Sequence, residues 1–528
     1  MISFLKRLTG RDVLLIAILA LLLSVFFLEY PILSQTGGTL AYPLDNSYAP
    51  MAIAKNLVLH GTWGFSADHF VAASSSILYP ILLALFFKLF GVHLLIPFLI
   101  NLAAAILFLV VLQKWMGRRE AGPGIQLLIL LSVVFLIPLP VIVAIGMEHC
   151  LQILFSFLFL YQFSEAQAGS GKMTWRIYIY GMLVTSIRYE GMFLIVIAGC
   201  FLLLQRKWVP ALLLMVLSLL PIVIFGLIAL QKGALFFPNS VLLKTQFLPD
   251  DLMSTWNFLR KDMADRIFFA YPIAGMVVLV RILLALPVIF LINYARIRES
   301  RPNQVLLIFC MAAVLLHIVF AASNGFYRYE AYLIAVFLPV AILSMRGVMQ
   351  PDRKYRWVLI LAGVLFFFPF FRRSHEAFAD IPELSVTNYN QKYQLGLFLR
   401  TYYNDVSVAT FETGTLAYLT NGQLLDLGGV GNNEDARAFV NHYYSGQFML
   451  YRLQAEKVKL VAVPARAFNG EVTKSWVKVA SWFLAQVPVG AEPDLSFYAV
   501  DPAGAPALLA KLKAFQPALP PAVLVTYY

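Results

Sequence analysis

Charge is scarce in this chain. Only 13% of its 528 residues are Asp, Glu, Lys or Arg, whereas 60% are hydrophobic and the mean hydropathy is +0.77. That shortage excludes a soluble globular chain and leaves a multispanning membrane protein as the expectation. Cysteine is scarcer still. The three present, Cys150, Cys200 and Cys310, all fall in apolar runs, which argues against a disulfide framework or a metal cluster and for core positions. No internal repeat or low-complexity tract interrupts the sequence.

Acidic residues are the rarer sign, with 28 Asp and Glu against 40 Lys and Arg, and the net charge is +12. The imbalance is local. Residues 372–528 hold 13 of each sign, so the whole excess, 27 against 15, lies in residues 1–371. Basic cytoplasmic loops account for such a bias, which therefore gives no argument for a nucleic-acid partner.

At roughly 20 apolar residues per crossing, spans are expected near 12–32, 94–115, 125–146, 148–163, 174–187, 190–205, 208–231, 267–293, 304–322, 330–345 and 356–371. The run 76–91 is short and contains Pro80 and Lys88, so it reads as an interfacial helix rather than a twelfth span. With the N-terminus cytoplasmic, Lys6, Arg7 and Arg11, then Lys114, Arg118 and Arg119, and each later inner loop up to Arg356 are basic. Counting 76–91 as a span would put GRRE (117–120) outside and reverse that agreement. The N-terminal apolar core is long, and no small-residue cleavage motif follows Tyr30, so it reads as a retained anchor.

Hydrophobicity drops after FFFPFFRR (366–373), which divides the chain into a membrane region, 1–371, and an extracytoplasmic region, 372–528. External loops are expected at 33–93 and 232–266. The tail alternates helix 389–403, strands 406–410 and 423–429, helix 435–456 and strands 459–464 and 496–502, an α/β pattern long enough for its own core.

Polar and ionisable residues gather at the external helix ends. Asp45, where the chain leaves the first span, suits a reaction between a lipid-borne substrate and an acceptor from the aqueous side. The same acid would also stabilise the start of the helix NSYAPMAIAKNLVLHG, and the two roles are compatible. Glu148 in GMEHC opens a helix. Arg188 and Glu190 in SIRYEGM occupy a tight break between two helices, where a local ion pair is the plainer reading and function the favoured one. In FFPNSVLLKTQ, Asn239 and Lys244 are placed to bond a sugar or phosphate, or simply to face solvent. Arg281 lies inside an apolar span, where a charge without a partner costs at least ~2.5 kcal/mol, so it either snorkels or meets an anion. Arg328, with Tyr327 and Tyr329, forms a basic-aromatic group suited to a phosphate and a sugar face. In the tail, Glu412 and Asp426 read as loop and strand-end residues before acceptor contacts.

The order of these pieces resembles the type C glycosyltransferases, integral membrane enzymes that take a sugar from a polyprenyl-phosphate carrier on the extracytoplasmic side. The nearest likeness is to the branch that includes the mycobacterial terminal arabinofuranosyltransferase. Its acidic pair, Ala, Asn-Leu, glycine turn and serine-rich entry correspond here to Asp45-Asn46, Ala54, Asn56-Leu57, Gly61 to Gly64 and Ser74 to Ser76. GMEHC, RYEG, PNSVLLK, RYEAYLIAVFLP and TFETGTLAYLTNGQLLDLGGVG (410–431) follow in the family's order, so the likeness spans nearly the whole chain. One departure stands out: Asn46 replaces the second acid, which weakens any two-carboxylate metal site, so no metal ligand is assigned and a divalent ion finds little support.

The resemblance implies a polytopic helical fold with an external α/β domain, in a bacterial plasma membrane. It implies that Asp45 is the general base and that the donor is a polyprenyl-phosphate sugar. Arg188, Lys244, Arg281 and Arg328 are then the cations for the leaving phosphate, with Glu190, Asn239 and Tyr329 as donor contacts. The acceptor is an envelope glycan, lipid or protein. A single base implies inversion, whereas Glu148 or Glu190 beside Asp45 would permit retention. The alternatives are a transporter or flippase of lipid-linked glycan, disfavoured by the one-sided distribution of ionisable residues, and a non-catalytic envelope assembly protein.

Overall fold

The computed structural model describes residues 8–168, 172–243, 274–292, 301–321, 325–345, 356–404, 406–411, 413–467, 476–488 and 491–528. Lys244, Glu412 and most of the loop 232–266 lie outside these residues. Helix α1, Gly10–Gln35, starts where a capping box dictates. The Thr9 amide donates to Asp12 Oδ2 at 2.8 Å, and the Asp12 amide donates to Thr9 Oγ1 at 3.3 Å. Helix α2, Asp45–His60, has its acid in the first turn and stops at Gly61, whose φ of 71° ends the helix in a left-handed cap. Leu78–Phe90 forms α3 at the site of the expected interfacial helix.

The helical region continues as α4 (Leu95–Arg118), α5 (Pro123–Leu136), α6 (Leu139–Ile145), α7 (His149–Ala168), α8 (Trp175–Ile187), α9 (Gly191–Leu204), α10 (Trp208–Gln231), α11 (Ala274–Ile292), α12 (Arg301–Phe320), α13 (Ala331–Ser344) and α14 (Arg356–Asn388). Among the described residues, each expected apolar segment is therefore largely helical. The segment expected as one span at 125–146 is instead two helices bent by 40°, with Pro138 and Pro140, which lack amide donors, at the break. By length and composition α1, α4 and α10 are sufficient to cross a membrane, and the α5–α6 pair makes a fourth if it is one bent span. In the core, α1 packs on α5, α6 and α14, while α7 contacts α4, α8, α12 and α13.

Hydrophobicity drops at 373, yet the backbone does not break there. Helix α14 carries on to Asn388, passes through a π-turn at Tyr389–Tyr393 and continues as α15, Gln394–Tyr402. The rest comprises β1 (Val408–Thr410), α16 (Gly414–Leu419), β2 (Leu424–Asp426), α17 (Asn433–Val440), α18 (Gly446–Ala455), β3 (Leu460–Val463), β4 (Val477–Leu484), β5 (Asp494–Ala499), α19 (Ala505–Phe515) and β6 (Val523–Tyr527). The sheet order is β2-β1-β3-β5-β4-β6, with β1 parallel to β2 and β3 and the other pairs antiparallel. Both faces are covered. Leu460, Ala462 and Phe497 meet α15 and α19 on one side, and Val461 and Val463 meet α18 on the other, which explains the unbroken apolar run at β3.

Two expectations for the tail need correction. The single helix at 435–456 is two helices, because His442 adopts a φ of 59° after α17 and Ser445 caps α18 by accepting from the Phe448 amide. Strands β4 and β6 and helix α19 were not anticipated.

Candidate functional site

Asp45 lies at the seam between the membrane region and the tail. Its Oδ2 accepts the Gly414 amide at 2.8 Å and its Oδ1 accepts the Thr415 amide at 2.7 Å, so one carboxylate holds the first two amides of α16. An acid at the positive end of a helix dipole is stabilised in its ionised form. The approach is close enough to require glycine: a Cβ at Gly414 would come within 2.5 Å of the Asp45 carbonyl oxygen. Lys55, further along α2, reaches the other end of α16, where Nζ donates to the carbonyls of Ala417 (2.8 Å), Tyr418 (2.9 Å) and Thr420 (2.7 Å). Burial pulls the Lys55 ammonium down to about 8. Apolar contacts among Ala49, Ile53, Phe65, Val71 and Ala417 fill the seam between the two charges.

A second polar group forms where α6 meets α7 and α8 meets α9. Gly146 makes the turn that aims Glu148 inward. Its φ is 72°, and a Cβ there would lie 2.2 Å from the Tyr42 ring. Arg188 then joins both acids: Nη1 donates to Glu148 Oε1 at 2.8 Å, Nη2 to Glu190 Oε1 at 2.5 Å and Nε to Glu190 Oε2 at 3.0 Å. Nη1 also donates to Ser75 Oγ at 3.1 Å, and the guanidinium lies 5.3 Å from the Tyr329 ring centre. Glu148 is thus committed to Arg188, while Asp45 is committed to α16.

Arg328 lies against the same tyrosine, 4.8 Å from the Tyr329 ring centre, and donates to the Gly325 carbonyl and the Tyr329 hydroxyl. It is only 2% exposed, its Nε has no hydrogen-bond partner, and it makes no ion pair among the described residues. The next residue but one fixes this position. Glu330 is bonded at 2.8 Å to Arg373 on α14 in a fully buried pair, and Arg373 also donates to the Tyr327 carbonyl. Phe326 and Tyr327 turn the chain with φ of 53° and 66°, non-glycine residues held in the left-handed region.

The other sequence candidates are dispersed. Asn239 is fully buried and donates to the Val430 carbonyl and Asn433 Oδ1, both at 3.2 Å, so it ties the segment that follows α10 to the tail. Arg281 donates to the carbonyls of Leu365 and Phe366 on α14. Pro369 has no amide to give Leu365, and Arg281 supplies that missing donor. Asp426 accepts from the Gly428 and Gly431 amides at 2.9 and 2.7 Å, and desolvation raises its pKa against those bonds. Among the described residues no three His, Cys, Asp or Glu side chains gather as metal ligands.

Sequence reasoning passed over Lys55 and Glu29. A lone lysine in an apolar helix and a lone acid late in the first span were the available signals. Glu29 is 8% exposed, with Oε2 lacking a hydrogen-bond partner. Two cavities open against the tail. An apolar one of about 1420 Å³ lies between α3, α4 and α7 and has Tyr393, Arg400, Tyr418 and Leu419 of the tail at its rim. A polar one of about 620 Å³ lies between loop 61–71 and the tail.

A domain family of unknown function, DUF8728, matches residues 382–498. No curated protein matches the chain. The fold is similar to the crystal structure of ArnT from Cupriavidus metallidurans bound to undecaprenyl phosphate, with a TM-score of 0.51, 10% identity, and coverage of 91% of this chain and 98% of that one. An Archaeoglobus fulgidus oligosaccharyltransferase, crystallised with zinc and sulfate, aligns with a TM-score of 0.47 and 12% identity over 97% of this chain and 74% of its own. The first likeness is one of fold alone.

Proposed function

We propose that this protein is an integral membrane glycosyltransferase that moves a sugar from a polyprenyl-phosphate carrier to an envelope acceptor on the extracytoplasmic side. In this reading residues 1–371 cross the bacterial plasma membrane eleven times from a cytoplasmic N-terminus, and residues 372–528 cover the site. The same reading groups the chain with the branch containing the mycobacterial terminal arabinofuranosyltransferase, which the order of motifs from Asp45 to the tail supports. The observation that carries it is Arg328, a buried guanidinium with an open Nε and no carboxylate partner among the described residues. An uncompensated buried cation costs several kcal/mol, so an anionic ligand is its natural complement. A phosphate monoester matches that geometry. The apolar cavity beside α7, the helix that Glu148 precedes, suits the isoprenoid chain.

The chemistry is a single displacement. An acceptor hydroxyl attacks the anomeric carbon, its proton passes to Asp45, the new C–O bond forms, and the bond to the carrier phosphate breaks with its electrons on oxygen. Each Asp45 oxygen accepts an α16 amide, which fixes the orientation of the carboxylate towards the acceptor hydroxyl. Arg328 and Arg188 stabilise the departing phosphate. Glu148 and Glu190 hold Arg188 in place, and Tyr329 fixes both guanidinium planes. Lys244 and Asn239 serve the donor from the second external loop. Arg281, already bonded to α14, takes a structural part. Glu148 faces Arg188 rather than Asp45, which supports inversion over a second-carboxylate route.

The test is binding of a fluorescent polyprenyl phosphate to purified protein, with radiolabelled sugar transfer measured alongside. Wild type should bind and transfer, and Arg328→Gln should lose both. A protein that moves the lipid across liposome bilayers without transferring sugar would be a flippase, the reading that the broken α5–α6 helix favours.

A further inference from the structure

The polar cavity of about 620 Å³ is lined by none of the donor residues themselves and touches that group only through Asn433, which accepts from Asn239 at 3.2 Å. One wall is loop 61–71, which is held in shape by its own bonds: the Val71 amide to the Trp63 carbonyl at 2.9 Å, Thr62 Oγ1 to the Ala67 carbonyl at 2.6 Å, and Asn56 Nδ2 to the Gly64 carbonyl at 2.9 Å. The other wall is the loop after β2. There Asp426 gathers the Gly428 and Gly431 amides, and its own amide donates to Asn432 Oδ1 at 2.6 Å. Asn433 Nδ2 joins the walls by donating to the Phe70 carbonyl at 2.7 Å. The cleft is therefore preformed, which lowers the entropic cost of binding.

Its chemistry narrows the ligand. Arg452, the guanidinium on the lining, is already bonded to Glu434 at 2.5 Å, Asp435 at 3.3 Å and Glu456 at 3.1 Å, so it has little capacity left for an anion. Asp68, Glu434 and Glu456 outnumber Lys232 and Arg452 on the lining, a balance that disfavours phosphate or sulfate groups. Carboxylates and the amides of Gln423 and Asn432 accept from and donate to hydroxyls, and Trp63 and Phe70 add aromatic surface. A volume of this size lies within the ~300–1,000 Å³ range of small-ligand sites.

We propose that this cleft binds a neutral oligosaccharide, the growing end of the acceptor glycan. The acceptor role rests on the transferase reading, whereas the binding site does not. Full-length protein in lipid nanodiscs would be titrated with neutral tetrasaccharides of arabinose, mannose and glucose, and with a polyuronate tetrasaccharide. At least one neutral sugar is expected to bind, with the polyuronate about tenfold weaker or more. Ser66→Trp, which fills the cleft, and Asp68→Asn, at an exposed position, should each weaken binding by about fivefold or more. Failure of every neutral sugar to bind, or unchanged binding in both variants, overturns the proposal. Fluorescent polyprenyl phosphate is titrated into the same nanodiscs. Lipid binding without sugar binding removes the cleft and leaves the transferase reading. Sugar binding without lipid binding keeps the cleft and removes its acceptor role.

Discussion

Asp45 and Lys55, on one helix, hold opposite ends of another: the acid takes the first two amides of α16, and the base donates to its last carbonyls. The arrangement complements the helix dipole at both ends. It also joins the membrane region to the tail. Because removing Lys55 leaves three carbonyls without their donor, Lys55→Met should destabilise docking of the tail by about 1–3 kcal/mol. Hydrogen exchange of the α16 amides measures this; faster exchange confined to α16 and its neighbours is expected.

The same lysine sets a pH dependence. Its pKa is about 8 in the folded protein against 10.5 in its absence of burial, so between those values the unfolded chain holds one proton more than the folded chain. Stability contributed by this group therefore rises with pH across that window, as the burial cost of the ammonium is relieved, and it is lowest below pH 8. The stability difference between wild type and Lys55→Met should shift towards wild type from pH 8 to pH 10 in chemical denaturation.

Gly146 is expected to tolerate no side chain. Gly146→Ala combines a left-handed backbone with a Cβ pressed against the Tyr42 ring, at a cost of about 1–3 kcal/mol or more. Thermal unfolding of the detergent-solubilised variant checks the loss. Because the turn aims Glu148 at Arg188, carrier-lipid affinity should fall with it.

Apolar periodicity was sufficient to place the helices, since a run such as 208–231 has no other way to satisfy its backbone in an apolar setting. Strand β4 escaped notice because burial of its middle residues on both faces masks the alternation, and β6 because it pairs with β4 across the whole of β5 and α19. Glu148, Arg188, Glu190, Arg328 and Tyr329 were each visible as charges or aromatics at helix ends, and the fold gathers them. The bonds from Asp45 to Gly414 and Thr415 were not legible, because a contact across so much chain leaves no local spacing to read.

Arg328→Gln replaces a buried cation by a neutral amide of similar reach. Carrier-phosphate affinity should drop by at least about tenfold, while the fold persists or strengthens because an uncompensated charge is removed. Equilibrium binding of fluorescent polyprenyl phosphate, with thermal unfolding of the same sample, reads both. Unchanged affinity would remove Arg328 from the donor site.

Sugar transfer from a panel of radiolabelled polyprenyl-phosphate sugars to envelope glycan acceptors, comparing wild type with Asp45→Asn, bears most directly on the proposed reaction. Asparagine retains one acceptor oxygen for α16 but cannot take the acceptor proton, so transfer should fall by about 10²-fold or more while carrier lipid still binds and the α16 amides beyond Gly414 and Thr415 remain protected from exchange. Transfer at the wild-type rate in a folded Asp45→Asn protein would contradict the assignment and leave Asp45 as the cap of α16 alone.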